Sequence, residues 1–280
     1  LPEHLAASCV QAAIALLKRN TASSSSSSTL ARPLFVMDPM AGSGTFSFET
    51  ILALSGLVAP PRLESTLEVA QALGLPDPTL DFFRKKLGVG SDGGRREIPG
   101  LSICMSDWSD QAVQDLQENV DHFASHIGVI KKQIFGTVSK EDFFDQAFFT
   151  RALARCTHTH TGMGPGVGVG DVMLLLNPPH GRRLGARTDL VSFYDRIGKQ
   201  VGSIYRQWIQ MDALPRDASF AGVVICPDSA VWSAVQAAVL RETSLGTEDK
   251  VNNNKAVFET THFTLGGQQM RCLAFAIPAN

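Results

Sequence analysis

Two short strings carry residue types that could do chemistry: DPMAGSGTF, beginning at Asp38, and LLLNPPHG, ending at Gly181. In the second, Asn177 stands before two prolines, Pro178 and Pro179, which fix φ and remove two backbone donors. The Asn177 side chain and the Pro178 carbonyl are then acceptors side by side at the end of an apolar run. An exocyclic amino group offers two N–H donors, so the pair can hold a planar amine with its nitrogen aimed at an electrophile. His180 follows and can stack on the ring that bears the amine. The alternative is a plain strand-ending turn, and the glycine turn upstream weighs against it.

That upstream turn has its own logic. Residues 33–37 are apolar without helical period, as in a buried parallel strand, and 47–54 read as a helix. Gly42 and Gly44 fall between them, where a missing Cβ admits unusual φ/ψ values and close approach of a ligand. The free N–H groups of the following helix suit a carboxylate. Asp38 can accept from a ligand amine or order the loop. Taken alone, Gly-x-Gly is weak evidence, and an ordinary strand-to-helix turn is the preferred reading. A second apolar run, 101–106, closes on Asp107, and Ala112, Val113, Leu116, Val120 and Phe123 follow at helical spacing. An acidic residue ending the second strand of a doubly wound sheet is where ribose hydroxyls are held. A third run, 134–138, precedes Asp142, which can accept from an adenine amino group or cap a helix over Phe143 and Phe144. A nucleotide-like cofactor beside a held planar amine implies methyl transfer to a nucleobase.

The elements that must position these residues alternate between strand and helix. This predicts an α/β fold: a mostly parallel doubly wound sheet with ligands at the C-terminal ends of its strands. Residues 172–176 and 220–226 supply two further apolar strands. Residues 190–211 form a helix whose Phe193, Ile197, Val201, Ile204, Tyr205 and Trp208 share one side and are assigned to the core. Flexible insertions are expected near 21–29 (a serine tract), 88–100, 157–170 and 243–255. His158 and His160 could bind a metal at their spacing, but no carboxylate or cysteine cluster supports them, and a loop is the preferred reading.

Taken together, these strings resemble the class I S-adenosylmethionine-dependent RNA methyltransferases that make N2-methylguanosine in rRNA or tRNA and are often joined to a THUMP domain. LPEHLAA is similar to their opening helix, DPMAGSGTF to the cofactor loop, SGLVAPP and DFFRKKL to an insertion, and SDWSDQAV to the second strand. NPPHGRRLG is similar to the catalytic loop and HFTLGGQQMRCLAFAI to a closing antiparallel pair. The resemblance implies a single Rossmann-like domain over 1–280 with a seven-stranded sheet. It places S-adenosylmethionine against Asp38, Pro39, Gly42, Gly44, Thr45, Asp107, Trp108, Asp142 and Asn177, and chemistry at Asn177, Pro178, Pro179 and His180. The chain departs from the family at three points. Ala41 stands where Cys is common, and His180 stands where the family carries Tyr, so weaker stacking and a pH-dependent charge are expected there. No THUMP-like segment precedes Leu1, so the RNA-capturing module is expected on a protein or ribonucleoprotein partner.

Composition bounds the alternatives. The net charge is −2, unlike the basic balance of most stand-alone RNA-binding domains. RNA contacts are therefore expected to be local, at Arg182, Arg183 and Arg187 beside the catalytic loop; a solvated, charge-paired loop is the alternative. Five widely spaced cysteines with no CxxC pair indicate reduced thiols in an intracellular protein, with no zinc site and no disulfide framework. No apolar run is long enough for a membrane span. Because Leu1 is not an initiator, a lost presequence and a mitochondrial address are an expectation, with the cytoplasm as alternative. Two other readings stay open. One is a methyltransferase fold acting structurally in ribosome biogenesis, with little or no turnover. The other is methylation of adenine in DNA or glutamine in protein, which share Asn-Pro-Pro.

Overall fold

A computed structural model of the chain describes residues 1–20, 32–55, 100–127, 135–159, 170–179, 189–211, 214–215, 218–227, 231–244 and 256–279. Its elements run α1 (Glu3–Asn20), β1 (Leu34–Asp38), α2 (Thr45–Ser55), β2 (Leu101–Asp107), α3 (Asp110–Ile127), β3 (Phe135–Lys140) and α4 (Phe148–Thr159). The second half runs β4 (Asp171–Leu176), α5 (Leu190–Ile209), β5 (Ser219–Pro227), α6 (Val231–Ser244), β6 (Val257–Leu265) and β7 (Gln268–Pro278).

The strands form one seven-stranded sheet in the order β3-β2-β1-β4-β5-β7-β6, parallel from β3 to β5 and antiparallel at β7 and β6. This is the doubly wound, mostly parallel sheet with a closing antiparallel pair expected from the sequence. The order reverses between β1 and β4, which is where such sheets open a crevice at their C-terminal edge. Asp38 and Asn177 stand on either side of that reversal.

Strand pleating sorts the core into two layers. Leu34, Val36, Ile103, Met105, Met173 and Leu175 pack with α1, α2 and α3, while Phe35, Met37, Cys104, Val172, Leu174 and Leu176 pack with α4, α5 and α6. With helices on both faces, β1 and β4 are buried at every position, which is why both read as unbroken apolar runs. On α5, Tyr194, Ile197, Val201, Ile204, Tyr205 and Trp208 are buried, and the Asp189 carboxylate caps the first turn by accepting from Val191 N–H at 3.0 Å. Phe193, assigned from spacing to that core row, is only half-buried. It packs against the same core cluster from its rim, in the first turn of the helix.

Two insertion boundaries shift. The helix α4 continues through Thr159, carrying His158, and α6 continues through Ser244, with Thr243 Oγ1 donating back to Val239 O at 2.9 Å. His158 is therefore helical rather than in a loop. The remainder of the insertions near 21–29, 88–100, 157–170 and 243–255, together with His160, falls outside the described residues, except Gly100 and Gly170. All five cysteines are buried, and none forms a disulfide. Among the described residues no helix is long and apolar enough to cross a membrane, and no group of three or more His, Cys, Asp or Glu gathers as a metal site would.

Candidate cofactor and substrate cleft

The loop between β1 and α2 is held in shape by backbone geometry. Gly42 and Gly44 adopt φ of 52° and 87°, the left-handed region that favours glycine. A Cβ on Gly44 would lie 2.8 Å from Leu116 Cδ1 and 2.9 Å from the Phe48 ring, whereas one on Gly42 would meet nothing within 4 Å. Gly44 is thus required by packing, and Gly42 by conformation at the wall of an open space. Ala41 N–H donates to Ser106 O at 3.0 Å and Asn119 Nδ2 to Ser43 O at 3.2 Å, tying the loop to β2 and α3. Thr45 opens α2, and its hydroxyl lies 3.0 Å from that of Ser43.

Asp107 ends β2 and bridges the loop to its own turn: Oδ2 accepts from Gly42 N–H at 3.1 Å and Oδ1 from Ser109 N–H at 3.0 Å. Each oxygen keeps a further lone pair. Trp108, next in sequence, is 75% exposed and lines the cleft, as do Pro39 and Asp142. Asp142 does not cap a helix. Its Oδ1 accepts from Phe144 N–H at 2.9 Å in a turn, while α4 starts only at Phe148, where Asp145 Oδ1 accepts from Ala147 N–H at 2.8 Å. Around that turn Glu141 joins Arg151, at 2.7 Å, and Arg155, and Arg151 also reaches Asp145 at 3.0 Å. This network was not legible from sequence.

Asp38 is the most perturbed group here. It is 1% exposed, accepts from Ser47 Oγ at 2.9 Å through Oδ2, and its Oδ1 has no hydrogen-bond partner. Burial pushes its carboxyl up to about 7, against the lowering effect of the Ser47 bonds and with a small upward push from the Asp107 charge. Across the reversal, Asn177 Oδ1 is also buried without a partner. Two buried oxygen atoms thus lack donors at one strand-end cleft, where an N–H or cationic group of a ligand would satisfy them.

Two cavities meet at this point. One of about 410 Å³ is lined by Leu1, Asp38, Ser43, Thr45, Asn119 and Asn177 among others. A larger one of about 1100 Å³ spreads across the ends of β1 to β4, from Asp107, Trp108 and Asp142 to Asn177, Pro179 and Phe193. Gly42 and Asn177 line both. The structure thus gathers Asp38, Pro39, Gly42, Thr45, Asp107, Trp108, Asp142, Asn177 and Pro179 on one cleft. Pro178 is buried beside it, and Gly44 is buried behind the loop. His180, Arg182, Arg183 and Arg187 lie outside the described residues. Spacing alone did not single out Phe144 and Phe193. The first was read only as lying under a helix cap, and the second was absorbed into a periodic core row.

No protein-family model matches the chain, and no curated protein matches it. Similar solved structures include TrmN from Thermus thermophilus, at 16% identity and TM-score 0.40, over 96% of this chain and 48% of that one. Others are the rRNA methyltransferase aviRa from Streptomyces viridochromogenes (14%, TM-score 0.40, 98% and 85%) and the human methyltransferase 10 domain containing protein (10%, TM-score 0.41, 95% and 81%). This chain spans about half the length of TrmN, at 48%. At these identities and scores the likeness is one of general architecture and assigns no activity.

Proposed function

We propose that the chain is an S-adenosylmethionine-dependent RNA methyltransferase acting on the exocyclic N2 amine of guanosine in rRNA or tRNA. The observation that carries this reading is Asn177 Oδ1, buried and without a donor, on a cleft it shares with the Gly42 loop and Asp107. The residues present fit the cofactor. The unpartnered Asp38 Oδ1 suits an ammonium, and the N-terminus of α2 behind Gly42, Gly44 and Thr45 suits a carboxylate. Asp107 retains lone pairs for ribose hydroxyls, Trp108 presents an indole to the adenine, and Asp142 has a carboxylate oxygen for its amino group. When bound, S-adenosylmethionine supplies a methyl group on a sulfonium.

The chain's own residues then position and orient. Asn177 Oδ1 and the Pro178 carbonyl accept the two amine N–H groups, and Pro178 and Pro179 stiffen that turn. Alignment provides most of the rate, with no nucleophilic side chain. The amine needs no separate general base, because its proton leaves once the nitrogen is cationic. The base must first leave its stack. His180 would stack on it, and Arg182, Arg183 and Arg187 would meet flanking phosphates. The test is methyl transfer from labelled S-adenosylmethionine to rRNA and tRNA transcripts, followed by nucleoside analysis. N2-methylguanosine is expected, reduced about a hundredfold by Asn177→Ala. Label in adenine of DNA or in glutamine of protein would refute the substrate assignment. A second reading, a structural factor in rRNA assembly, is favoured by His180 where the resembled family carries Tyr; cofactor binding without turnover on any RNA would select it.

A further inference from the structure

The larger cavity does not end at the residues suited to the cofactor. Its lining also includes three apolar residues, Pro179 after β4, Phe144 between β3 and α4, and Phe193 in the first turn of α5, beside the charged Lys140, Glu141, Asp145 and Arg151. The Phe144 and Phe193 rings meet edge-to-face with centroids 5.9 Å apart at 71°. Both rings have further partners that do not line the cavity. The Arg196 guanidinium lies 4.3 Å from the Phe144 centroid, and Tyr194 packs edge-on to Phe193 at 5.4 Å and 87° while its hydroxyl donates to Ile225 O at 3.3 Å.

The two phenylalanines are half-buried, in a molecule that buries Phe143, Phe148 and Phe149 fully. Rigid apolar surface left facing a cavity gains free energy when a ligand covers it. At about 1100 Å³ the cavity also exceeds the ~300–1,000 Å³ usual for one small ligand. Asn177 lines the same space, and its Oδ1, buried and unpartnered, would be satisfied by a ligand N–H donor. A flat ring bearing an amino group satisfies both demands.

We infer that Phe193 and Phe144, braced by Arg196 and Tyr194, form the stacking platform for the target nucleobase in the cavity that holds the Asn177 acceptor. The platform rests on the methyl-transfer reading above. It supplies from α5 and the β3–α4 loop an aromatic surface that the residue after Asn-Pro-Pro, His180, does not provide as a phenyl or phenol ring.

The test uses the full chain saturated with S-adenosylhomocysteine and a single-stranded RNA oligonucleotide carrying one 2-aminopurine, a fluorescent base with an amine at position 2. Stacking quenches its emission. Phe193→Ala should weaken the quenching titration about tenfold, the scale of one base–aromatic stack, and Phe193→Tyr should restore it. Calorimetric affinity for S-adenosylhomocysteine should be equal in all three proteins. Unchanged quenching in Phe193→Ala overturns the platform, and so does a parallel fall in S-adenosylhomocysteine affinity, which would place Phe193 on the cofactor side or in the fold. Wild-type protein that binds S-adenosylhomocysteine but never quenches the oligonucleotide removes the platform and leaves methyl transfer standing. Failure to bind S-adenosylhomocysteine at all removes the underlying reading.

Discussion

Asp38→Asn isolates the cost of keeping a carboxylate under the glycine loop. Burial raises this carboxyl from 3.8 to about 7. In the unfolded chain the group ionises near its ordinary value, so between those two values the folded state holds more protons than the unfolded one. Stability from this group is therefore fully present below pH 3.8 and is lost as pH rises through about 7. At ~1.4 kcal/mol per tenfold change in proton affinity, the full penalty above neutrality is roughly 4 kcal/mol, more than half of which falls between pH 5 and pH 8. Asparagine keeps an acceptor for Ser47 and abolishes the titration. Urea unfolding of the two proteins across that window should give a stability difference that drifts in favour of Asp38→Asn by roughly 2–3 kcal/mol as pH rises. The same logic links to binding: an ammonium brought against Asp38 Oδ1 pulls the carboxyl back down. S-adenosylmethionine binding at pH 6 should then release close to one proton, measured from the buffer dependence of the calorimetric heat. Parallel stability curves for the two proteins would refute the assignment of the titration to Asp38, and binding without proton release would refute the approach of a cation.

Three further outcomes separate the parts of the cleft. Gly44→Ala, at φ 87° and 2.8 Å from Leu116, should lower stability by about 2–4 kcal/mol in denaturant titration. Gly42→Ala, whose Cβ meets nothing within 4 Å, should cost only about 1 kcal/mol of stability. Its affinity for S-adenosylmethionine should nevertheless fall about tenfold, because the methyl enters the space that both cavities share. Glu141→Gln leaves Arg151 and Arg155 without their common carboxylate and should cost about 2 kcal/mol, with faster amide exchange over residues 141–147 by hydrogen exchange.

The strand ends were legible because chemistry and periodicity change at the same residue. An apolar run stops at Asp38, at Asp107 or at Asn177, and parallel sheets place ligands there. The sheet's interior strands were legible for the same reason, being buried on both faces. What sequence could not supply was the company each residue keeps. Asp107 binds Gly42 from 65 positions away, and Glu141 gathers two arginines from the next helix, neither of which has a local signature. Phe193 packs against the core as its spacing implied, but only half-buried at the rim, because helical spacing records a face and not the depth at each position along it. Asp142 carried two readings, a contact to adenine or a helix cap, and the placement of α4 at Phe148 removed the second.

Calorimetric titration of S-adenosylmethionine into the full chain, with Asp107→Asn and Asp107→Ala beside it, bears most directly on the cleft's assignment. Micromolar binding by the wild type is expected, weakened in Asp107→Asn and abolished in Asp107→Ala, with all three proteins folded by circular dichroism. No binding to the folded wild type, or binding indifferent to both substitutions, would contradict a cofactor site at the ends of β1 and β2.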